Sequence, residues 1–548
     1  MFQPRPLTYK KLRAPAKHGE QFMSPEIAVA CEQIDSNIST IRNNDLEIDG
    51  SAYSELVSQA RLEFFAKATQ YTATYRDTDQ LACLDPDKPT VLSGHQPTLF
   101  HPGVWFKNFY LSHLGKYLHA NVVNIVIDND VAPARSIQVP EYVDTQHHLN
   151  AIVFDTDDAA IPFEAAHVQS ASHFQSFAAK VGQSMGTLID DPLIHELWPF
   201  ACKQAEQHGN PYLAIAQARH VFEGSLGLKT WEVPLSDICD TAVFGRFARH
   251  LIKHAYELLV HYNTGLSEYR QTNKIRSKSH PVPDLEHSLE RHELPFWIWT
   301  DENPTRRRLF VSDSSAESGL ESKTVILSDN AEWKKTISLK DDEDTLFIAE
   351  LRKMGVYIRP RALATTMFLR LFLGDFFVHG IGGGKYDQLT DYIIEHVFQI
   401  PAPHFAIATM TAFLPLDLPE EQIEDLGEIE STLRDYKHAP DRFAFKVRKL
   451  LPHLHLGEDV EGLIAEKEAW IRRDVDPAGR REWHLELERI HGKLQVLLSE
   501  AHEQLSERRK LVEKLAKQRE LLHSRELSYC LFPKKNLSEL LEITSITP

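Results

Sequence analysis

The alternation of hydrophobic and polar positions is clearest in the first third of the chain. Val91 and Leu92 form a short apolar run that Gly94 stops, which predicts a buried strand. Apolar residues at helical spacing follow from Pro102, and a second apolar run occupies residues 122–127. About thirty residues separate the two runs, the length of a β-α-β unit. We therefore expect two neighbouring parallel strands joined by the helix from Pro102.

The patterns elsewhere divide the chain into three parts. Residues 1–85 have helical spacing and predict a helical N-terminal segment. Residues 86–400 predict the α/β core, with a helical insertion at about 170–290. Proline-cut helical fragments and one long helix predict a helical C-terminal region at residues 401–548. The expected fold class is α/β, with a Rossmann-like parallel sheet core, helical insertions and a C-terminal coiled-coil arm.

The predicted arm is the stretch at residues 482–528, which lacks proline and has Gly492 as its one glycine. Its apolar residues recur every three or four positions among charged ones, which predicts a single helix of roughly 70 Å in a coiled coil. Another helix should bury this stripe, either within the chain or across a homodimer. The stripe comprises Leu487, Ile490, Leu494, Leu497, Ala501, Leu505, Val512, Leu515 and Leu522.

Composition narrows the class of protein. The chain has 548 residues, 42% of them hydrophobic, and a formal charge of -18, which argues against nonspecific binding to nucleic acid or an anionic membrane. Its five cysteines are scattered without a CxxC pair, so we expect neither disulfides nor a thiolate metal site. The sequence shows no signal core and no run of about 18 apolar residues. We expect a cytoplasmic protein without a membrane or nucleic-acid partner and without a metal.

Polar residues follow both predicted strands of the β-α-β unit. His95 and His101 come after the first strand, and Asp128 and Asp130 come after the second. Ligands of open α/β sheets bind beyond the carboxyl ends of the strands, so these four residues are the predicted catalytic set. Histidine suits proton transfer, and the carboxylates suit an amine or ribose hydroxyls. The alternative for the aspartates is a solvated turn. The predicted substrate-binding residues of this unit are Gly94, Gln96 and Lys107.

A glycine run at residues 380–384 follows a short predicted strand and precedes a helix. Backbone N–H groups without Cβ atoms nearby can close on an anion, and a helix N-terminus favours negative charge. The run is not a Walker A motif, because Tyr386 follows the lysine. The alternative is close packing of the backbone against a neighbouring helix. The predicted anion-binding residues are Arg359, Gly380, Gly382, Gly383, Gly384 and Lys385.

The order of these motifs resembles that of the bacillithiol-biosynthesis cysteine-adding enzymes. That family has a Gly-Gln-Gln turn after a strand, which corresponds to residues 94–96 here, and a helix start that corresponds to Pro102 and Gly103. An acidic cluster, an Arg-Pro pair before a glycine turn, and a terminal Leu-Phe-Pro at residues 531–533 follow in the same order. The chain departs from the family at His95 and in its shorter acidic cluster.

The resemblance implies a ligase-type enzyme that joins cysteine, or a similar amino acid, to a small amino-sugar or amine-bearing metabolite. It also implies a nucleotide, ATP or ADP, in the crevice and a homodimer through the coiled-coil arm. Two other functions remain open from the sequence. One is a nucleotidyltransferase built on the same core, and the other is a non-enzymatic coiled-coil scaffold.

Overall fold

The structure is a computed structural model that describes residues 3–131, 135–144, 146–156, 160–313, 324–331, 333–338, 347–416 and 426–543. The chain divides into two compact units. The α/β unit comprises Met1–Glu141, Asn150–Leu414 and Arg525–Pro548, and the helical unit comprises Tyr142–Leu149 and Pro415–Ser524.

The strands are numbered in chain order. They are β1 (Gln21–Ser24), β2 (Glu47–Ile48), β3 (Ser51–Ala52), β4 (Thr90–His95), β5 (Asn121–Val126), β6 (Ser136–Val143), β7 (Gln146–Val153), β8 (Trp231–Pro234), β9 (His292–Thr300), β10 (Arg307–Asp313), β11 (Thr324–Ser328), β12 (Lys334–Ser338), β13 (Val356–Pro360), β14 (Phe376–His379) and β15 (Phe405–Met410).

The helices of the α/β unit are Ile27–Arg42, Tyr53–Ala73, Pro102–Leu118, Ala171–Met185, Ile194–His208, Pro211–Ser225, Leu235–Cys239, Ala242–Lys253, Ala255–Thr272, Phe347–Lys353, Ala362–Phe368, Ile381–Val397 and Lys534–Leu541. A π-helical turn, Leu369–Leu373, continues from Phe368. Short 3-10 turns lie at Phe163–Ala165 and Tyr529–Leu531. Within the described residues, every helix is too short or too polar to traverse a lipid bilayer.

The main sheet has the strand order β1-β15-β14-β4-β5-β8. From β15 to β8, each strand pairs in parallel with its neighbour, whereas β1 pairs antiparallel with β15. Val91 lies opposite Val122, and the Pro102–Leu118 helix connects their strands. The predicted parallel pair is therefore confirmed.

The order of the strands reverses at one point in this sheet. From β4 the chain adds β5 and then β8 on one side, and it later adds β14 and β15 on the other side. The connections that leave β4 and β14 thus run toward opposite edges of the sheet. A crevice outside the carboxyl ends of these two strands is the expected binding position in such a fold.

A second sheet of antiparallel strands, in the order β12-β11-β10-β9-β13, belongs to the same α/β unit. One hydrophobic core contains residues of both sheets and of the helices beside them. Aromatic packing is dense there, with Phe247 in contact with Phe296, Phe368 and Phe372. The second sheet therefore lies on the same core as the main sheet.

The N-terminal residues differ from the prediction of a separate helical segment. Two helices do occur between residues 27 and 73, but β1 adds an edge strand to the main sheet. Asn37 of the first helix also donates to the backbone oxygen of Asp375, immediately before β14. These residues therefore belong to the α/β unit.

In the helical unit, the helices are Leu426–His438, Pro440–Leu450, Glu458–Ile471, Arg480–Leu497 and Ser499–Leu522. The prediction of one helix over residues 482–528 is wrong, because Leu498 separates two helices and the second ends at Leu522. The buried part of the stripe packs on the unit's own shorter helices, through Ile490, Leu494, Ala501, Leu505 and Val512. The coiled coil and the homodimer stay predictions.

Leu494 and Leu497 offer a matched test of which side of the arm is buried. Leu494 is fully buried, whereas Leu497 is 45% exposed. Leu494→Asp should destabilise the helical unit by about 3 kcal/mol or more, because it buries a carboxylate without a partner. Leu497→Asp should change the free energy of unfolding by less than about 1 kcal/mol. Calorimetric melting of the two variants measures the difference, and equal effects would contradict this packing.

Candidate functional site

A cavity of about 660 Å³ lies at the carboxyl ends of β4 and β14, where the strand order reverses. The starts of the Pro102–Leu118 and Ile381–Val397 helices contribute to its wall, as does Trp297 of the second sheet. Its volume is within the range of about 300–1,000 Å³ that is usual for small-molecule sites. The cavity is therefore large enough for a nucleotide or a metabolite of similar size.

Residues from three distant predicted segments line this one cavity. Those from the predicted set are Gly94, His95, Gln96, Lys107, Asp130, Gly380, Gly382 and Gly383. The convergence follows from the parallel sheet, because the ends of β4, β5 and β14 lie along one edge. The roles of these residues remain predictions.

The glycine run is the first turn of a helix rather than a loop. Gly380 is the N-cap of the Ile381–Val397 helix, and among the described residues no side chain caps the free amides of this helix. A Cβ at Gly382 would meet nothing within 4 Å, whereas one at Gly383 would lie 2.6 Å from Nδ1 of His379. The backbone and the imidazole thus approach each other so closely that residue 383 has to be glycine. This turn presents uncapped amides at the cavity.

Two residues of the predicted anion loop do not line the cavity. A Cβ at Gly384 would lie 2.4 Å from Ile407, so this glycine serves close packing. Lys385 is exposed, and its backbone oxygen accepts a hydrogen bond from Tyr269. Because residues 381–385 belong to a helix, its turn rotates both positions away from the cavity.

His101 was predicted to be catalytic, but it lies outside the cavity and holds the local fold together. Its Nδ1 accepts a hydrogen bond from the Gly103 amide at 2.9 Å, and its Nε2 donates to the oxygen of Ala412. Both ring nitrogens are thus occupied: Nδ1 caps a helix that begins with proline, and Nε2 holds the ring to the backbone at Ala412. Burial lowers the pKa of His101 to about 4, so the ring is neutral. Residue 103 has to be glycine, because a Cβ at this position would lie 2.1 Å from the backbone oxygen of Met410.

Asp128 is fully buried outside the cavity, where it accepts hydrogen bonds from the backbone amide and the hydroxyl of Ser236. Burial, with the nearby charge of Glu164, raises the pKa of Asp128 to about 8. Alternation along a continued strand would place Asp128 and Asp130 on one face. Because β5 ends at Val126, that alternation does not extend to residues 128–130.

Arg359 is likewise unavailable to an anion. It is 1% exposed, it pairs with both carboxylate oxygens of Glu164 at 2.8 and 2.9 Å, and it contacts Asp240 at 3.1 Å. Burial acts to lower the pKa of Arg359, but the carboxylate of Glu164 outweighs burial and raises it. The arginine therefore stabilises the fold. Arg361, two residues later, lines the cavity instead.

His95 lies in the cavity wall as a neutral ring. Its Nδ1 is 3.0 Å from the backbone oxygen of Gln96, which can only accept, so Nδ1 carries the hydrogen and Nε2 is an acceptor. Burial, together with the charge of Lys107, lowers the pKa of His95 to about 3. A ring with that pKa is a poor proton shuttle near neutral pH. Its Nε2 remains available as a hydrogen-bond acceptor.

Lys107 is a buried lysine of the cavity whose pKa lies far below its ordinary value. Its side chain is 4% exposed, and its Nζ donates to the oxygen of Gly94 at 2.7 Å. Burial, with the charge of Arg219 behind it, lowers the pKa of Lys107 to about 7. Among the described carboxylates, none forms an ion pair with this lysine. Its ammonium would therefore gain directly from a bound anion.

His379 is a cavity residue that the sequence did not single out. Its Nε2 lies 2.9 Å from Oδ2 of Asp387, which also accepts from Arg370. Burial acts to raise the pKa of Asp387, but the charge of Arg370 and the hydrogen bond from His379 outweigh burial and hold that pKa well below its ordinary value. The carboxylate fixes the ring with Nδ1 as acceptor beside Gly383. A histidine oriented in this way by a carboxylate can accept a proton and be stabilised as a cation.

A signal for His379 was present in the sequence, because this residue ends β14 as His95 ends β4. Residues at the carboxyl ends of neighbouring strands share one edge of the sheet, so His379 belongs with the predicted catalytic residues as soon as β14 is placed beside β4. Asp387 is hidden, since it lies two turns into a helix and reaches His379 only through packing. No periodic pattern predicts that contact.

Arginines surround the rest of the cavity. Arg306 pairs with Asp130 at 2.7 Å and Arg361 pairs with Glu293 at 2.6 Å, and both guanidinium groups lie against Trp297. Arg525 donates to the oxygen of Met410 and to Thr409 and, within the described chain, has no ion-pair partner. Burial lowers its pKa. Arg525 and Lys107 are thus two cations of the cavity without a carboxylate partner.

The described residues contain no group of three or more histidine, cysteine or acidic side chains placed to hold a metal ion. No protein-family model matches the chain, and no curated protein shows significant similarity to it. The geometry of the cavity is therefore the basis for a functional conclusion.

Proposed function

We propose that the α/β unit is a ligase-type enzyme that binds a phosphate-bearing small molecule, ATP or ADP, in this cavity. The second substrate of the proposed reaction is an amine or thiol of amino-acid size, with cysteine as the first candidate. The acceptor is a small metabolite such as an amino-sugar conjugate. The observation that carries the proposal is the convergence of uncapped helix amides, two unpaired cations and a carboxylate-oriented histidine in one cavity.

The strand order supports a nucleotide ligand. Numbered along the chain, the five parallel strands β8, β5, β4, β14 and β15 have the order 3-2-1-4-5. Rossmann-like sheets share that order and bind nucleotides where it reverses, with phosphate at a helix N-terminus. In this chain the helix after the first strand, Pro102–Leu118, has its N-terminus capped by His101, so we assign the phosphate to the uncapped helix that follows the neighbouring strand β14, Ile381–Val397. Its first-turn amides would face the phosphates, with Lys107 as a cationic neighbour whose stem passes 3.8 Å from a Cβ placed at Gly380.

In the proposed condensation, ATP first activates a carboxyl group as a mixed anhydride with phosphate, and an amine then attacks the carboxyl carbon. A C–N bond forms, the bond from that carbon to the phosphate oxygen breaks, and the phosphate leaves with the negative charge, while the amine loses a proton. In the proposed mechanism, Nδ1 of His379 takes the proton, and Asp387 stabilises the resulting imidazolium. The amides of Gly382 and Gly383, with Lys107 and Arg525, stabilise the developing negative charge. These donors are held by packing before the reaction begins, which is the condition under which such stabilisation is large.

The proposal is tested by incubating the full chain with ATP, cysteine and amino-sugar conjugates and identifying products by mass spectrometry. We expect a cysteine-containing condensation product and loss of turnover by at least about 10²-fold in His379→Ala. A product that carries the nucleotide would instead indicate a nucleotidyltransferase. Absence of both binding and turnover would favour the scaffold function. Lys385→Ala, on the same helix but outside the cavity, is the matched control.

Gly382 allows anion binding to be removed without weakening the helix. Gly382→Asp should abolish binding of the phosphate-bearing ligand, because it places a carboxylate among the amides that would hold the phosphate. An aspartate in the first turn of a helix favours the helix, so the melting temperature should stay constant or rise.

Gly382→Ala is the control for the Gly382→Asp variant, since a Cβ there meets nothing within 4 Å. Calorimetric titration and melting curves of the two variants measure both effects. Unchanged ligand affinity in Gly382→Asp would contradict the proposed position of the phosphate.

A further inference from the structure

Three features of Lys107 bear on the reactivity of its amine. Its Nζ is buried in the cavity wall, it is held by one backbone carbonyl at 2.7 Å, and no described carboxylate pairs with it. An anion-binding lysine gains most when its ammonium stays charged, whereas this one is placed where burial and Arg219 favour the neutral amine. Such an environment activates a lysine as a nucleophile.

We propose that Lys107 is a carbonyl-reactive amine, and that the cavity accepts an aldehyde or ketone bearing a phosphate or carboxylate as an imine on Nζ. This inference deepens the proposed function, because it uses the same anion site. It adds a covalent chemistry that requires neither ATP nor a second amine.

The surroundings of Nζ fit this chemistry. The hydrogen bond to Gly94 uses one N–H and fixes the side chain, which leaves the lone pair of the neutral amine free. The stem of Lys107 passes beside Gly380, the N-cap of the Ile381–Val397 helix. A ligand with its anionic group on the amides of that helix would therefore bring its carbonyl carbon close to Nζ.

The reaction balances without an oxidant or a reductant. The lone pair of Nζ attacks the carbonyl carbon and forms a C–N bond, while the carbonyl oxygen becomes a hydroxyl with a proton from the amine. Loss of this hydroxyl as water, with the second amine proton, leaves the neutral C=N imine. The Nε2 acceptor of His95 in the same cavity wall can hold the departing water by a hydrogen bond.

The inference is tested with pyridoxal 5′-phosphate, which carries an aldehyde and a phosphate. The full chain is incubated with this probe near pH 7, reduced with borohydride and digested, and the labelled lysines are identified by mass spectrometry. A lysine with a pKa of about 7 is neutral roughly 10³ times more often at that pH than one with the ordinary pKa of about 10.4. We expect Lys107 to be labelled at least about tenfold faster than the exposed Lys385.

The controls separate imine formation from anion binding. Lys107→Arg cannot form an imine, so it should lose the label. Lys385→Arg, at an exposed lysine outside the cavity, should leave both the labelling of Lys107 and the binding of inorganic pyrophosphate unchanged. Pyridoxal, which lacks the phosphate, should label Lys107 more slowly, and pyrophosphate should compete with the phosphorylated probe.

Equal labelling of Lys107 and Lys385, or none at Lys107, would overturn the inference. If pyrophosphate still bound in that case, the anion site of the proposed function would stand. Labelling of Lys107 that neither phosphate nor pyrophosphate affects would support the reactive amine and contradict the anion site.

Discussion

Replacing Asp387 with alanine is expected to destabilise the α/β unit by about 3 kcal/mol or more. Asp387 is fully buried and accepts hydrogen bonds from Arg370, His379 and, at 2.8 Å, Thr366. Its removal leaves Arg370, itself 1% exposed, with Asp391 as its remaining carboxylate partner. A buried cation with part of its charge uncompensated has a large free-energy cost.

The pH dependence of this effect has a defined sign. Because the pKa of Asp387 is held below its ordinary value, its contribution to stability is present above about pH 4 and is lost as the pH falls. The difference between wild type and Asp387→Ala should therefore shrink in acid. Calorimetric melting at pH 7 and pH 3.5 measures it.

Asp435→Ala in the helical unit is the matched control for Asp387→Ala. It breaks a partly exposed ion pair with Lys446 at 2.7 Å, and it should cost less than about 1 kcal/mol. Equal losses in the two variants would contradict a structural role for the buried network around Asp387.

Replacing Lys107 with methionine is expected to stabilise the protein while it removes function. The folded chain holds this amine at a pKa of about 7, whereas the unfolded chain restores the ordinary value of about 10.4. Between those values the unfolded chain binds a proton that the folded chain does not, so wild-type stability rises with pH. Lys107→Met should therefore be more stable by about 1–3 kcal/mol at pH 7, after loss of the hydrogen bond to Gly94.

The advantage of Lys107→Met should shrink as the pH rises above 7 and disappear only above about pH 10.4, where Lys107 loses its proton in the unfolded chain as well. Binding of a phosphate-bearing ligand should fall at least about tenfold at pH 7 and below, where the wild-type amine provides a charged donor to the bound anion. Lys385→Met, which changes an exposed lysine, should alter neither property. If Lys107→Met were less stable than wild type at pH 7, burial of the Lys107 amine would not cost the folded chain free energy.

The fold was predictable where local pattern determines it. The spacing of two apolar runs was sufficient to place β4 beside β5, because a β-α-β unit of that length has few alternatives. The position of β14 on the other side of β4 was not predictable, since nearly 300 residues separate them along the chain. The four-residue strand β1 was also missed, because it is too short for its alternation to be visible.

The break at Leu498 shows a different limit of pattern reasoning. The apolar stripe continues through it without proline, so its period predicts one helix. The break falls where the packing partners change. Arg480–Leu497 packs mainly on Glu458–Ile471, whereas Ser499–Leu522 packs mainly on Leu426–His438. Tertiary packing of this kind overrides a local helical pattern.

The candidate site was partly predictable for the same physical reason as the sheet. Strand ends brought His95, Asp130 and Gly380 to one cavity, as parallel topology requires. The errors at His101 and Asp128 arose beyond the strand ends, where capping and turn geometry decide which side chains face the cavity. Residue type alone does not distinguish a capping histidine from a catalytic one.

A crystal structure of the protein with ADP would show directly where the phosphates bind. We predict that they lie within hydrogen-bond distance of the backbone amides of Gly382 and Gly383 and of Nζ of Lys107, in the cavity between β4 and β14. A nucleotide bound elsewhere, or an empty cavity in the presence of saturating ADP, would contradict it.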